Sequence, residues 1–343
     1  MNRTPVVFLI LCCITVAGCL PSSCKRIESR ELFAADSLSR QLAALIPEDT
    51  LTLNGLSFGP EESQLEYPRS ILFDSNGHLW IGDVEKGNVL VLDGEGVVLR
   101  TVSATFELPF VVGADADTVF VFDASLNSVS TVHDTTVLST TNLSGYDIPE
   151  NSVRYMSVTD SGFVLKIVPK EGSSELVYYD SGGEQSSRVS LPGPAWQWAG
   201  FMRTTDEGIA SLRGYQPRID LVGTDGRLDS LNLVGFDSPM LARMRSYLRG
   251  DANAPPLLTP SAVLAANRIF VLNIRPGWTR IDVYNDDGRL TDILIREKPS
   301  FNKDFFPTDI AVTRLTEQSF LIAVAYVEPD GRIEMYEWTD NAN

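Results

Sequence analysis

One strand–turn–strand phrase recurs along this chain, and a repeat of that period constrains the fold more than any other feature of the sequence. Its clearest copy runs Pro68-Arg-Ser-Ile71-Leu-Phe73-Asp-Ser-Asn-Gly77-His-Leu79-Trp80-Ile81, then Asn88-Val-Leu-Val-Leu92-Asp93-Gly-Glu-Gly96, then Val97-Val-Leu-Arg-Thr-Val102. Alternating apolar residues punctuated by Gly, Asp and Asn read as short strands joined by tight turns. The phrase returns more loosely at Met156–Leu165, Thr205–Ile209 and Arg268–Leu272, each followed by a second hairpin. Six units result, beginning near residues 68, 109, 153, 199, 260 and 307. Their spacing matches a four-stranded propeller blade, apart from one longer step.

The last unit supplies three strands, Thr308–Val312, Phe320–Val324 and Arg332–Trp338. Its fourth is expected at Thr50-Leu-Thr-Leu53, because pairing the two ends of the chain closes a ring and removes an exposed sheet edge. The expected fold is an all-β, six-bladed β-propeller over residues 50–343; a seven-bladed ring and a β-sandwich are the alternatives. The long step carries an insertion, about 236–258. In a helix there, Met240, Leu241, Met244, Tyr247 and Leu248 share one face, with Arg243, Arg245 and Arg249 among the polar positions.

The first 49 residues are of another kind. Arg3 precedes the apolar run Val6 to Ala17, which is too short to span a membrane and of the right length for a signal-peptide core. All four cysteines, Cys12, Cys13, Cys19 and Cys24, lie in the first 24 residues, so no disulfide and no cysteine metal site holds the fold. Residues 27–46 place Leu32, Leu38, Leu42, Leu45 and Ile46 near helical spacing, which predicts a short helix ending before Pro47.

Two resemblances follow from these residues. Val16-Ala17-Gly18-Cys19 resembles the lipobox of bacterial lipoproteins. That likeness implies a signal peptide of residues 1–18, a Cys19 carrying lipid on its thiol and its new amine, and a tether over 19–49. Leu20, where the family would carry Asp for inner-membrane retention, implies the outer membrane of the cell envelope. The Pro-x-x-Ile…Asp-x-x-Gly-x-Leu-Trp phrase resembles six-bladed propellers of the NHL-repeat type, most clearly in the first unit.

Charge and residue counts narrow the chemistry. A formal charge of −17 argues against a nucleic-acid partner. Two histidines, His78 and His133, are too few for the several-histidine metal site of amidating lyases, which the NHL resemblance would otherwise permit. Ca²⁺ needs only oxygen ligands, and Asp115-Ala-Asp117 and Asn285-Asp286-Asp287-Gly288 are candidate runs. The second also matches the repeated tight turn at Asp93-Gly94 and Asp225-Gly226. No Gly-x-Ser-x-Gly elbow, phosphate loop or dinucleotide fingerprint is present.

The expected function is a lipid-anchored, non-catalytic binding or scaffold protein without a cofactor. The alternative is a metal-dependent, lactonase-like hydrolase with its site at the central channel. Binding residues are expected where the copies diverge, in the loops between second and third strands and at the blade entries: Arg69, Arg154, Trp196, Trp198, Arg213, Tyr215, Arg275, Trp278 and Asp309. Arginines there suit an anionic ligand or an acidic segment of a protein partner.

Overall fold

The computed structural model describes residues 38–58, 65–102, 104–115, 118–205, 208–223, 227–275, 277–296 and 306–340. They form the expected ring of six antiparallel sheets. The first strands of blades I to VI, which line the axis, are Pro68–Phe73, Pro109–Asp115, Val153–Thr159, Met202–Thr205, Ala262–Ala265 and Phe306–Arg314. Blade IV lies between the short 3-10 turn Ala195–Trp198 and the inserted helix α1, Met240–Arg249. Clusters of apolar side chains fill the spaces between successive blades; Phe270, Ile281 and Leu294 of blade V, for instance, meet Phe320, Tyr336 and Trp338 of blade VI. A blade therefore buries its faces only against its neighbours, as repeat architectures require.

The repeated Asp/Asn-x-x-Gly phrase is a turn device. The Asp74 side chain accepts the backbone N–H groups of Asn76 and His78, and Asp93 does the same for Glu95 and Val97. Asn285 accepts the Arg289 N–H at 2.8 Å, and Gly288 adopts φ +73°, the left-handed geometry that glycine tolerates best. These turns join strands one to two and three to four, so one rim of the disc, the turn face, is uniform. The opposite rim, the entry face, carries the second-to-third loops and the start of each first strand.

Closure uses a longer N-terminal segment than expected. Thr52–Phe58 is the strand that completes blade VI, antiparallel to Arg332–Thr339, with Leu53 opposite Tyr336. Glu48–Thr50 pairs in parallel with Leu290–Ile295 of blade V, making that sheet five-stranded. Leu51, between the two, is buried against Phe270 and Leu272 of blade V. The expected strand at 50–53 thus spans two pairings because the chain changes blades at Leu51.

Residues 38–43 are helical. Ser39 Oγ accepts the Gly235 N–H at 3.3 Å, and Ala43 packs with Phe236, Met240 and Leu241. The earlier part of the helix expected over 27–46, and Cys19 with its lipobox, lie outside the described residues. No described helix is long and apolar enough to cross a membrane.

Candidate functional site

The first strands open with related phrases, Pro68-Arg-Ser-Ile71 and Pro307-Thr-Asp-Ile310. Their third residues perform the same task. Ser70 Oγ accepts the N–H of Val111 in blade II at 2.8 Å, and Asp309 Oδ2 accepts the N–H of Ile71 in blade I at 2.7 Å. A polar side chain at this register ties the axial strand of one blade to that of the next. Asp309 does more: Oδ1 also receives hydrogen bonds from Arg203 of blade IV and from Ser261 Oγ at the entry to blade V. The carboxylate is fully buried and therefore joins four blades at the axis.

This node separates two cavities along the axis. On the entry face, Arg69, Tyr155, Phe201, Tyr215, Phe306 and Thr308 line a cavity of about 250 Å³. On the turn face, a wider funnel of about 790 Å³ has Ile71, Val112, Leu264 and Val312 among its walls and Arg203 at its inner end. Arg69 and Ile71, two residues apart on one strand, face different cavities.

Beneath the entry cavity lies Lys166, fully buried on the second strand of blade III. Its Nζ donates to Ser211 Oγ at 2.8 Å and to the Leu212 carbonyl at 3.3 Å, and sits 5.0 Å from the centroid of the Tyr155 ring. Burial pushes the amine down to about 7, with nearby Asp220 opposing and Arg213 adding to the shift. Burial likewise raises the Tyr155 and Tyr215 hydroxyls, so both are neutral donors over the ordinary pH range.

A pH-dependent stability follows. Folded Lys166 loses its proton near pH 7, whereas an unfolded lysine holds it to 10.5. Between those values the unfolded chain binds the extra proton, so stability rises with pH, by up to about 1.4 kcal/mol per unit. Below pH 7 both states are protonated and the full penalty of burying the charge remains. Above about pH 10, unfolded tyrosines ionise before the buried ones and the trend reverses. Urea unfolding between about pH 7.5 and 9.5 should show this rise in the parent and a flatter profile in Lys166→Met. Equal slopes in the two proteins would contradict it.

The structure assigns the sequence-derived residues to different surroundings. Arg69 and Tyr215 share the entry cavity, and Asp309 follows Thr308 at its inner end. Arg154 starts its blade at the same rim but turns away, donating Nη1 to the Ala124 carbonyl of blade II. Trp196 packs edge-on against Tyr215 and, at 5.3 Å, against Tyr247 of α1. Trp198 is buried, donates Nε1 to the Pro192 carbonyl at 2.8 Å, and carries the Arg213 guanidinium 3.8 Å above its ring. Arg213 is paired through Nε with Asp220 at 2.6 Å. Arg275 reaches Asp237 and lies 5.8 Å from the Trp278 ring centroid. Arg203, Tyr155 and Lys166 were not singled out from the sequence. Arg203 and Tyr155 sit in first strands, where the register that directs a side chain toward the axis is not marked by residue type.

Among the described residues, no group of three or more His, Cys, Asp or Glu side chains is placed to hold a metal ion. The Asn285–Gly288 run closes a hairpin, and Asp117 of the other candidate run lies outside the described residues.

No family model matches the sequence, and no curated protein matches it. Solved structures match the fold. Regucalcin from Agrobacterium tumefaciens, described as a calcium-binding protein, aligns with 13% identity and a TM-score of 0.52, over 87% of this chain and 98% of its own. A streptogramin B lyase aligns with 11% identity and a TM-score of 0.50, over 83% and 97%. Virginiamycin B lyase from Staphylococcus aureus aligns with 11% identity and a TM-score of 0.50, over 83% and 88%. At such identities the likeness is one of architecture: this chain is a six-bladed β-propeller built on the same plan as these proteins.

Proposed function

We propose that the chain is a lipid-anchored, non-catalytic binding propeller of the bacterial cell envelope, held by acylated Cys19 at the outer membrane. Its ligand is an anionic group, of a small molecule or a partner segment, seated in the entry-face cavity. The observation that carries this reading is the cavity itself: a guanidinium, Arg69, at a mouth walled by Tyr155, Phe201, Tyr215 and Phe306. Aromatic walls supply contact area at little entropic cost, and one arginine fixes a carboxylate or phosphate. The nearby ionisable groups are already engaged, Asp309 by four donors and Lys166 by two acceptors. They build the wall and floor of the cavity.

Thermal-shift titration with phenylacetate, benzoate and short acidic peptides tests the reading. A probe that stabilises the parent should bind Arg69→Ala about tenfold to a hundredfold more weakly, since a hydrogen bond to a charged group contributes about 1.5–3 kcal/mol. The melting temperature of the unliganded variant should stay within about 1 °C of the parent, because Arg69 lies at the cavity mouth. The hydrolase alternative draws its support from the calcium-binding description of the regucalcin neighbour. Ca²⁺-dependent turnover of a lactone panel, abolished by chelation, would establish that alternative in place of the binding reading.

A further inference from the structure

The segment that leads from the tether into the propeller has two apolar faces where docking needs one. Ser39, Ala43 and Ile46 face the protein: Ser39 bonds Gly235, Ala43 is buried, and Ile46 packs on the cluster of blades IV and V. Leu38, Leu42 and Leu45, spaced i, i+4, i+7, form a second stripe, with Leu38 54% and Leu45 78% exposed. Leu45 has the largest exposure of any large apolar side chain among the described residues. The hydrogen bonds Ala44 N–H to Arg40 and Leu45 N–H to Leu42 carry the helical turns through this stripe.

Helix α1, beside the stripe, runs against the charge of the molecule: it carries Arg243, Arg245 and Arg249 and no acidic residue. Arg40, 53% exposed, lies 3.8 Å from Asp237, which also receives Arg275. Helix α1, packed beside residue 43, exposes Arg243 and Arg249, the latter paired with Asp251 at 2.9 Å. Exposed Glu48 and Asp49 follow the stripe, so its basic flank is the α1 side, on a chain whose overall charge is −17. An apolar stripe flanked by arginines, on the segment that joins the domain to its N-terminal tether, is the arrangement of an interfacial membrane helix.

We propose that Leu38, Leu42 and Leu45, with Arg40, Arg243 and Arg249, form a surface that lies on an anionic phospholipid bilayer. This rests on the anchoring part of the reading above and adds an orientation. Lipid on the thiol and amine of Cys19 supplies the attachment; the leucine stripe and the basic patch add a second contact, which fixes how the domain lies on the bilayer. The disc then sits with the blade IV–V edge of its entry face toward the lipid.

Vesicle flotation tests the surface without the lipid. The chain from residue 20 onward retains every described strand of the closed ring and lacks the leader and Cys19. It should float with vesicles of about three parts phosphatidylcholine to one of phosphatidylglycerol, and not with phosphatidylcholine alone. Arg243→Ala with Arg249→Ala should weaken partitioning about thirtyfold, as should about 0.5 M salt. Leu38→Ser with Leu45→Ser should abolish flotation while circular dichroism and the melting temperature stay at parental values. Equal flotation with both vesicle types, or none with either, overturns the proposal. So does a dimer in light scattering that the same four substitutions dissociate, because the stripe would then be an interface between copies. Fatty-acid labelling of the full chain against Cys19→Ser tests the anchor separately, so the two ideas fail independently.

Discussion

Replacing Asp309 by alanine is expected to destabilise the propeller by about 3–5 kcal/mol, the cost of stranding one partner of a buried ion pair. The change leaves the Ile71 N–H and the Ser261 O–H without their acceptor and the Arg203 guanidinium without its carboxylate, while Arg203 Nε already lacks a hydrogen bond. Because the carboxylate joins blades I, IV, V and VI, the loss is spread over the axis and should lower the urea midpoint without altering the number of transitions. The Arg203→Met, Asp309→Leu double variant should recover most of the stability, since a well-packed apolar pair replaces buried ions at little cost. That recovery distinguishes the cost of a stranded charge from the loss of the Ile71 and Ser261 hydrogen bonds, which the double variant does not restore. A single variant that loses less than about 1 kcal/mol would show that the node is an exposed pair, for which such values are usual.

The contrast between Asp309 and Arg213 shows which parts of this site a sequence reveals. The ring was legible because each blade repeats its own turn chemistry: Asp74, Asp93 and Asn285 each need a side-chain acceptor at one position and glycine at another. The axial latch was also written there, in the shared Pro-x-Ser/Asp-Ile phrase, but its meaning appears only once neighbouring first strands are side by side. Divergence between copies was a weaker guide. Arg213 differs from its counterparts Asp83 and Asp123, yet it pairs with Asp220 across its own hairpin and stacks on Trp198. Asp83 and Asp123 serve their loops by a different route, accepting backbone N–H groups. A loop that departs from the repeat can thus be maintaining its own fold. Cavity formation, which singles out Arg69 with Tyr155 and Tyr215, depends on the tilt of three different blades and has no local signature.

Removing residues 48–58 should cost more than any point substitution and abolish cooperative unfolding of the monomer. Two sheets lose a strand at once: Leu290–Ile295 its parallel partner and Arg332–Thr339 its antiparallel one. Leu51 leaves the cluster between blades V and VI, and Trp338 loses the Asp49 acceptor 3.2 Å from its indole nitrogen. Leu51→Ala alone, which keeps both pairings, should cost about 2–5 kcal/mol and leave a monomer. The deletion adds two unpaired edges to that loss, and a total stability of about 5–15 kcal/mol leaves little margin for it. Bared edges also recruit other chains, so the deleted protein should elute as oligomers in size exclusion where Leu51→Ala does not. A deletion variant that melts and elutes like the parent would mean that blades I to V and the three strands of blade VI hold the ring shut through their apolar interfaces alone. The ordering of the two variants is the decisive quantity, because burial of one leucine and pairing of two edges are separate terms. Only the second depends on the chain having threaded its beginning into its end.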